Sequence, residues 1–546
     1  MSQQTVQTSE WDGARFGREQ GTGVAFGLGM GQIIFIGAGL AVALIVVFVF
    51  NSAFPVNLLP AGGVLAVTLA IGVPRIQGKS LLEWASVVRF MVRRRRRGQN
   101  EFVPPTSGVA VEHTDTGWVT TPHLDVVDGP VKRSDDTARD KKGRITVPKA
   151  TRLVLPGEFA ELLMYQLPGG AAFIYDPVAK QAIIIAEIDT HKAFELEEFE
   201  GQEDRLRVWA EIEATLSGIE GVAWVQMSDQ TTMVSGQAVL DYYESRVNES
   251  DYRVDPVTGE HLRNAGQELN PWLHQGLVEM LASVEGRPVH TRWLSVVLNR
   301  DQLTKRIQGA GRGIRGFMEV ALSVMNTVAE ALPESGTEVA RWHTPTSAAA
   351  LIRTAFDPAS SVEVTARGEA GVAVGAAGPM YTKTNLGTFE SDGAVHQTLK
   401  ISEFPRQQAK LGFLADIVFA GDFRHTVSMY MKPRNVRKAL KKNERDRSTW
   451  LTNDTVREKV GKMNTLKNDR QREDLEQEEM EMTSGHAALS MAVYVTVSAM
   501  SEPELEAQLS QLRNRVARAN CELRPLFGQQ DSAFVAAATP LGRLKL

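Results

Sequence analysis

ALSMAVYVTVSAM (residues 488–500), EPELEAQLSQLRNRVARA (502–519) and ELRPLF (522–527) follow one another closely, and their spacing reads as strand, helix, strand. Working upstream, HQTLKISEF (396–404), QQAKLGFLADIVFAG (407–421) and RHTVSMYMK (424–432) read the same way. Together they give the order β-α-β-β-α-β.

That order is the ferredoxin-like pattern, here interrupted by an insertion at about 434–484. The insertion is helix-rich and highly charged, with sparse apolar positions, so it reads as a projecting α-hairpin rather than a core element, broken near Thr452-Asn453-Asp454. Upstream again, ELLMYQL, AAFIYD and AIIIAEID form an antiparallel meander joined by short turns. The helix RLRVWAEIEATLSG (205–218) and the strand GVAWVQM (221–227) follow, then the helix WLHQGLVEMLASVEG (272–286), the strand HTRWLSVVLN (290–299) and the helix FMEVALSVMNTVAEAL (317–332). The fold class is α+β, with a domain over 151–365 and a ferredoxin-like domain over 366–546. Residues 99–150, punctuated by Pro104, Pro105, Gly108 and Gly117, read as a linker.

The other end of the chain is of a different kind. Residues 29–50, GMGQIIFIGAGLAVALIVVFVF, are apolar, uncharged and about the 20 residues long that a helix needs to cross a bilayer. VNLLPAGGVLAVTLAIGVP (56–74) is a second such run, so 29–74 is expected to be a two-helix transmembrane hairpin behind a disordered lead, 1–28. Arg15 and Arg18 before it and Arg75, Lys79, Arg89 and Arg93 to Arg97 after it place both termini in the cytoplasm. Residues 75–98 read as a basic amphipathic helix on the inner leaflet, with Trp84, Arg89, Arg93, Arg94, Arg95, Arg96 and Arg97 as the membrane-interface residues and anionic lipid as their partner.

Two motifs suggest a nucleotide and fail on spacing. Gly78-Lys79-Ser80 ends like a phosphate loop, but the upstream glycine is Gly72 where the pattern requires position 73, and no buried strand precedes it. Gly311-Arg312-Gly313-Ile314-Arg315-Gly316 matches G-x-G-x-x-G, but the polar RDQLTKRIQGA separates it from its strand. Glu187 reads as an ordinary strand-end residue. No cofactor or metal site is expected: the histidines are scattered and the lone Cys521 excludes an internal disulfide and a cysteine-based zinc site. The net charge of -5 shows no basic excess, and no direct nucleic-acid binding is expected.

The hairpin with GKSLLEWASVVRFMVRRRR resembles the small inner-membrane subunit of type IV secretion and conjugation machines. From Leu153 onward the chain resembles the N-terminal, non-motor half of the conjugation ATPase. GPMYTKTN, HQTLKISEFPRQQ with LGFLADIVF, RHTVSMYMKP, SGHAALSMAVYVTV and LRPLFGQQDSAFVAAATPLG are in the style of membrane proteins of actinobacterial integrative elements. The resemblance implies a non-catalytic adaptor that docks a separate motor ATPase at the cytoplasmic membrane, because the motor of that family begins about where Pro540-Leu541-Gly542 stands. Other secretion membrane subunits and oligomerisation are implied with it, and the arm 434–484 and the strand near Phe534 are the expected contacts. A type VII secretion subunit and a membrane-tethered enzyme are the alternatives.

Overall fold

The structure, a computed structural model, describes residues 29–49, 58–76, 79–104, 109–114, 117–122, 150–190, 218–234, 252–254, 261–263, 271–282, 287–405, 414–434, 436–459, 476, 479–480 and 489–543. Helices α1 (Met30–Val49) and α2 (Leu58–Gly72) come first, then the hairpin of β1 (Arg75–Ile76) and β2 (Lys79–Ser80), helix α3 (Leu81–Arg96) and β3 (Glu101–Phe102). A second hairpin, β4 (Val109–Thr114) with β5 (Gly117–Pro122), precedes β6 (Thr151–Arg152), β7 (Leu163–Gln166), β8 (Ala172–Asp176), β9 (Gln181–Thr190) and β10 (Val222–Val234). Next come β11 (Tyr252–Val254), β12 (His261–Arg263), α4 (Pro271–Ala282), β13 (Arg287–Asn299), α5 (Thr304–Gly309), α6 (Gly313–Ala331), β14 (Thr337–Trp342) and α7 (Pro345–Phe356). The remainder is α8 (Ser361–Ala366), β15 (Thr382–Thr384), β16 (Phe389–Ser391), β17 (Ala394–Glu403), α9 (Ala415–Val418), β18 (His425–Pro433), α10 (Val436–Lys459), β19 (Leu489–Ala499), α11 (Glu502–Arg518), β20 (Glu522–Pro525) and α12 (Gln530–Ala538).

The architecture is mixed α+β, built on one antiparallel sheet of 14 strands in the order β3-β15-β16-β17-β19-β18-β10-β13-β9-β8-β7-β6, with β14 beside β9 and β20 beside β17. That order has the same plan read from either end. One half runs β14-β9-β13-β10 and the other β20-β17-β19-β18, and both are preceded in the chain by a hairpin strand, β8 or β16, at the same place. The halves join where β10 pairs with β18, with Ser228 opposite Ser428. Each half also carries a long excursion between its second and third strands, one holding β11, β12 and α4, the other α10. The outermost strands break the pattern: β6 lies directly before β7, whereas the corresponding place beside β15 is filled by β3, from the segment that follows α3.

Each face of the sheet carries its own helices. On one, α6 buries Phe317, Val320, Ala321, Val324 and Val328 against Leu294, Val296 and Leu298, a helical period laid on a period of two. Beside it α11, capped by Ser501, buries Leu505, Leu509, Leu512 and Val516 against Val493, Val495 and Val497. On the opposite face, α7 and α12 cover Ile183, Ile185, Trp293 and Phe389.

Three expectations are revised. The arm helix α10 runs unbroken from Val436 to Lys459, through Thr452-Asn453-Asp454, and Arg447 reaches Glu479 on the returning segment at 2.7 Å. The stretch expected to be a plain linker contains the β4–β5 hairpin and, in β3, an edge strand of the main sheet, because Gly117 opens a return strand and Glu101–Phe102 finds unpaired backbone on β15. At the N-terminal end, α1 is long and apolar enough to cross a membrane, but α2, at 15 residues, is shorter. The two run antiparallel: Gln32 Nε2 donates to the Gly72 carbonyl at 2.6 Å, and Gly39 sits so close to Thr68 that a Cβ there would lie 2.3 Å from Cγ2. Most of the helix expected at 205–218 and residues 407–413 of the one at 407–421 lie outside the described residues.

Buried histidines make this fold acid-sensitive. His396, bonded to Ser391 Oγ and Ser498 Oγ at 2.8 Å each, is pushed down to about 3 by burial and then by the Arg424 charge; His343 is pushed down to about 4 by burial and then by Arg341. The unfolded chain takes up these protons below about pH 6.5 and the folded chain does not, so their contribution holds above that pH and is lost as pH falls toward 3. Moving from pH 7 to pH 5 should cost about 2 kcal/mol for His396 alone, read as a lower denaturation midpoint. His396→Asn, which can still bond both serines, should flatten the pH dependence by that amount; an unaltered slope would contradict the assignment.

Candidate functional site

The residues after β20 form a strap that crosses the sheet from one half to the other. Its helix, α12, is buried from Gln530 and Ser532 through Ala538, and two shape-filling rings, Phe534 against Phe356 at 5.1 Å and against Phe389 at 4.9 Å, fix its depth. At its start the Gln530 amide mimics a paired strand residue, accepting from Thr398 N at 2.8 Å and donating to Thr398 O at 3.1 Å. At its end the last carbonyls of the helix have no intrahelical donors left, and burial forbids water, so the sheet must supply them.

It does so from strands of both halves. Gln226 Nε2 donates to Thr539 O at 2.9 Å while Gln226 Oε1 accepts from Gly542 N at 2.8 Å; Ser428 Oγ donates to Ala537 O at 2.6 Å; Tyr430 Oη donates to Ala536 O at 2.5 Å. Ser295 Oγ reaches Pro540 O at 2.8 Å and Trp224 Nε1 reaches Gly542 O at 2.6 Å. Ser228 and Ser428, opposite each other at the junction of the halves, share a hydrogen bond of 2.6 Å. Burial raises the Tyr430 hydroxyl well above its usual range, which keeps it a neutral donor. Gly542 has φ of 58° and a Cβ there would lie 2.4 Å from Val297 Cγ2, so the strap can settle on β13 only as glycine. Beyond it Arg543 pairs with Asp176 and stacks over Phe159.

The strap's first residues are held by α3. That helix starts cleanly because Ser80 and Glu83 form a reciprocal capping box. Its inward side places Trp84 against Phe527, with ring centroids 5.0 Å apart, packs Val87 and Met91 against Gly528, and pairs Arg94 with Asp531. Of the residues expected at a membrane interface, Trp84 and Arg94 therefore face the protein. Arg89, Arg93, Arg95, Arg96 and Arg97 are exposed. What sequence reasoning missed was the strap's seat. The strand face carrying Gln226, Ser228 and Ser428 is polar, and polarity alone does not separate a solvated face from a seat for a helix terminus.

The motif residues also have structural places. Ser80 is the N-cap of α3, and Lys79 Nζ lies 6.0 Å from the Trp84 ring centroid. In the second motif Arg312 and Gly313 adopt positive φ, and a Cβ on Gly316 would lie 2.2 Å from the Ile307 carbonyl, so that glycine serves the close crossing of α5 and α6. Glu187 pairs with Arg341 at 2.5 Å, but it lies inside β9, which runs on to Thr190 beside β14, and is not the strand-end residue expected. Cys521 is half-buried, and burial pushes its thiol up to about 11, leaving it protonated. Among the described residues no group of His, Cys, Asp and Glu gathers as metal ligands do.

The chain matches no protein-family model, and no curated protein matches it.

Two experiments probe the site. Gln226→Leu preserves bulk but orphans the Thr539 carbonyl and the Gly542 N–H, at about 1–3 kcal/mol each, so the urea midpoint should drop markedly. A double-mutant cycle on Arg94→Ala and Asp531→Ala should return a coupling of about 1 kcal/mol; zero coupling would show that α3 does not hold the strap through this pair.

Proposed function

We infer that this protein is a non-catalytic inner-membrane adaptor of a type IV secretion-like conjugative transfer system, which docks a separate motor ATPase at the membrane. The observation that carries this reading is the position of α3: it follows the apolar helices directly and grips the start of the strap. A membrane segment and the β3 edge of the 14-stranded sheet are, on this reading, joined through one short helix. On this reading α1 and α2 are both spans with the two termini cytoplasmic. In support, Arg75 bonds to Gln32 Oε1 at 3.1 Å, so the cationic residues after α2 gather at the end of the pair where α1 begins.

Each half of the sheet is read as a ferredoxin-like unit, the second being the β-α-β-β-α-β unit anticipated over 396–527. The resemblance to the non-motor half of the conjugation ATPase rests on the sequence motifs, and the strap carries the longest of them, LRPLFGQQDSAFVAAATPLG. The motor's docking surface is assigned to the arm containing α10 alone, because the segment near Phe534, expected as a contact strand, is the buried helix α12. Its exposed charged residues, among them Arg437, Lys441, Glu444 and Arg445, suit a polar interface that forms between separately folded proteins.

Two experiments test this reading. Affinity capture of the full chain from detergent extracts should recover an ATPase, and most of it should be lost when 434–484 is replaced by a short Gly-Ser linker while the circular dichroism and denaturation midpoint hold. Recovery of no ATPase with the intact protein would count against the adaptor itself, and full retention by the folded deletion would move the docking surface elsewhere. A reporter active only outside the cytoplasm should work at Ser52 and fail after Leu546; the reverse pattern would invert the orientation.

A further inference from the structure

α3 has two opposite sides, and among the described residues only one of them is packed against the protein. Trp84, Val87, Met91 and Arg94 point to the strap. The 16-residue helix turns by about 100° per residue, so Ala85, Arg89, Val92, Arg93 and Arg96 fall on the opposite side, and all five are exposed. Apolar side chains are interleaved with these arginines in the open: Val88, Phe90 and Val92 are 46%, 54% and 44% exposed. A helix meant for water would not carry them, and a helix meant for a protein core would not carry Arg93 to Arg97.

We propose that this outward side of α3 is a lipid-docking surface that takes the phosphates of anionic phospholipid headgroups on Arg89, Arg93 and Arg96 while the inward side keeps the strap seated. The proposal rests on the membrane-anchored reading above and narrows it: Trp84 and Arg94, already engaged with Phe527 and Asp531, are outside the lipid set. Three observations favour a bilayer over a nucleic acid, which arginines also attract. The apolar residues have no use against a phosphodiester backbone but can sink at the headgroup boundary. The helix is tied by the β1–β2 hairpin to the end of α2, whose Gly72 is bonded to Gln32 near the start of α1. Its first turn therefore lies at one end of a helix long and apolar enough to cross a membrane. Because the two sides are opposite, lipid and strap are held at the same time, and α3 sets the distance between the bilayer and the sheet.

The test uses the full chain with Cys521→Ser, carrying a single environment-sensitive label at Val92→Cys and reconstituted into vesicles of phosphatidylcholine alone or rich in phosphatidylglycerol. Both contain a lipid-borne quencher. A label at Val42→Cys in α1 reports insertion, and one at the exposed Lys305→Cys reports the aqueous domain. The Val92 label should be quenched in the anionic vesicles, less so in the neutral ones, with the difference fading at high salt. The triple substitution Arg89→Gln, Arg93→Gln, Arg96→Gln should weaken the association of α3 by about 100-fold, from about fivefold per arginine. If Val42 is quenched while Val92 behaves like Lys305 in anionic vesicles, the chain is anchored but α3 lies off the bilayer, and the proposal falls with the anchored reading intact. If Val42 is not quenched either, the anchored reading falls and takes the proposal with it. Shielding of the Val92 label by added duplex DNA, without lipid quenching, would assign the surface to nucleic acid and overturn the proposal.

Discussion

The closing carbonyls of α12 must be satisfied where no water reaches, and the rest of the structure is arranged around that requirement. The donors to these carbonyls and to those of Thr539 and Pro540 just beyond come from β10, β13 and β18, so the strap holds only if both halves of the sheet are present and in register. A shift of one residue along the β10–β18 pairing would turn either Gln226 or Ser428 away from the strap, depending on which strand is inverted, and orphan the carbonyls it serves. The junction is therefore specified by polar groups, whereas the interior of each half is specified by apolar packing. The same strap begins under α3 and ends at Arg543 beside Asp176, which binds α3, the junction and the far strands into one mechanical path.

The doubling of the sheet gives that path its logic. Two units of the same strand order meet edge to edge, which removes the exposed edges of β10 and β18 that either would show alone. The excursions enter at the same point of each unit but leave from opposite ends of the sheet, since β10 and β18 are antiparallel. The one irregularity is β3, which fills in the second half the place that β6 fills in the first. The residues that follow α3 thus complete a sheet to which they are distant in sequence, a second tie between α3 and the same half.

Most strands were legible as short apolar runs bounded by turns that glycine and proline mark, as in AAFIYD and AIIIAEID, which became β8 and β9 and are buried on both faces. Long helices with one apolar face, such as α6 and α11, were equally plain. The symmetry of the halves was not, because each is split by its own excursion and the residues that match in space, Ser228 with Ser428 or Trp293 with Tyr494, share no common pattern. The polar seat was hidden for a different reason: a period of two tells which residues share a face but not whether that face meets water or a helix terminus. For α3, composition revealed a basic amphipathic helix, but only contacts separate the arginine that pairs with Asp531 from those that remain exposed. The break expected in the arm failed because Thr452, Asn453 and Asp454 are weak helix formers without being breakers, and no proline or glycine stands between Val436 and Lys459.

Native-state hydrogen exchange on the strap is the most direct measurement of the central claim that both halves are locked by it. The account predicts that the amides of Phe534 to Ala538 exchange as slowly as those of β10 and β18, opening only when the whole sheet unfolds. Exchange of the strap at a much faster rate, while β10 and β18 stay protected, would show that the halves hold together without it and would contradict the account.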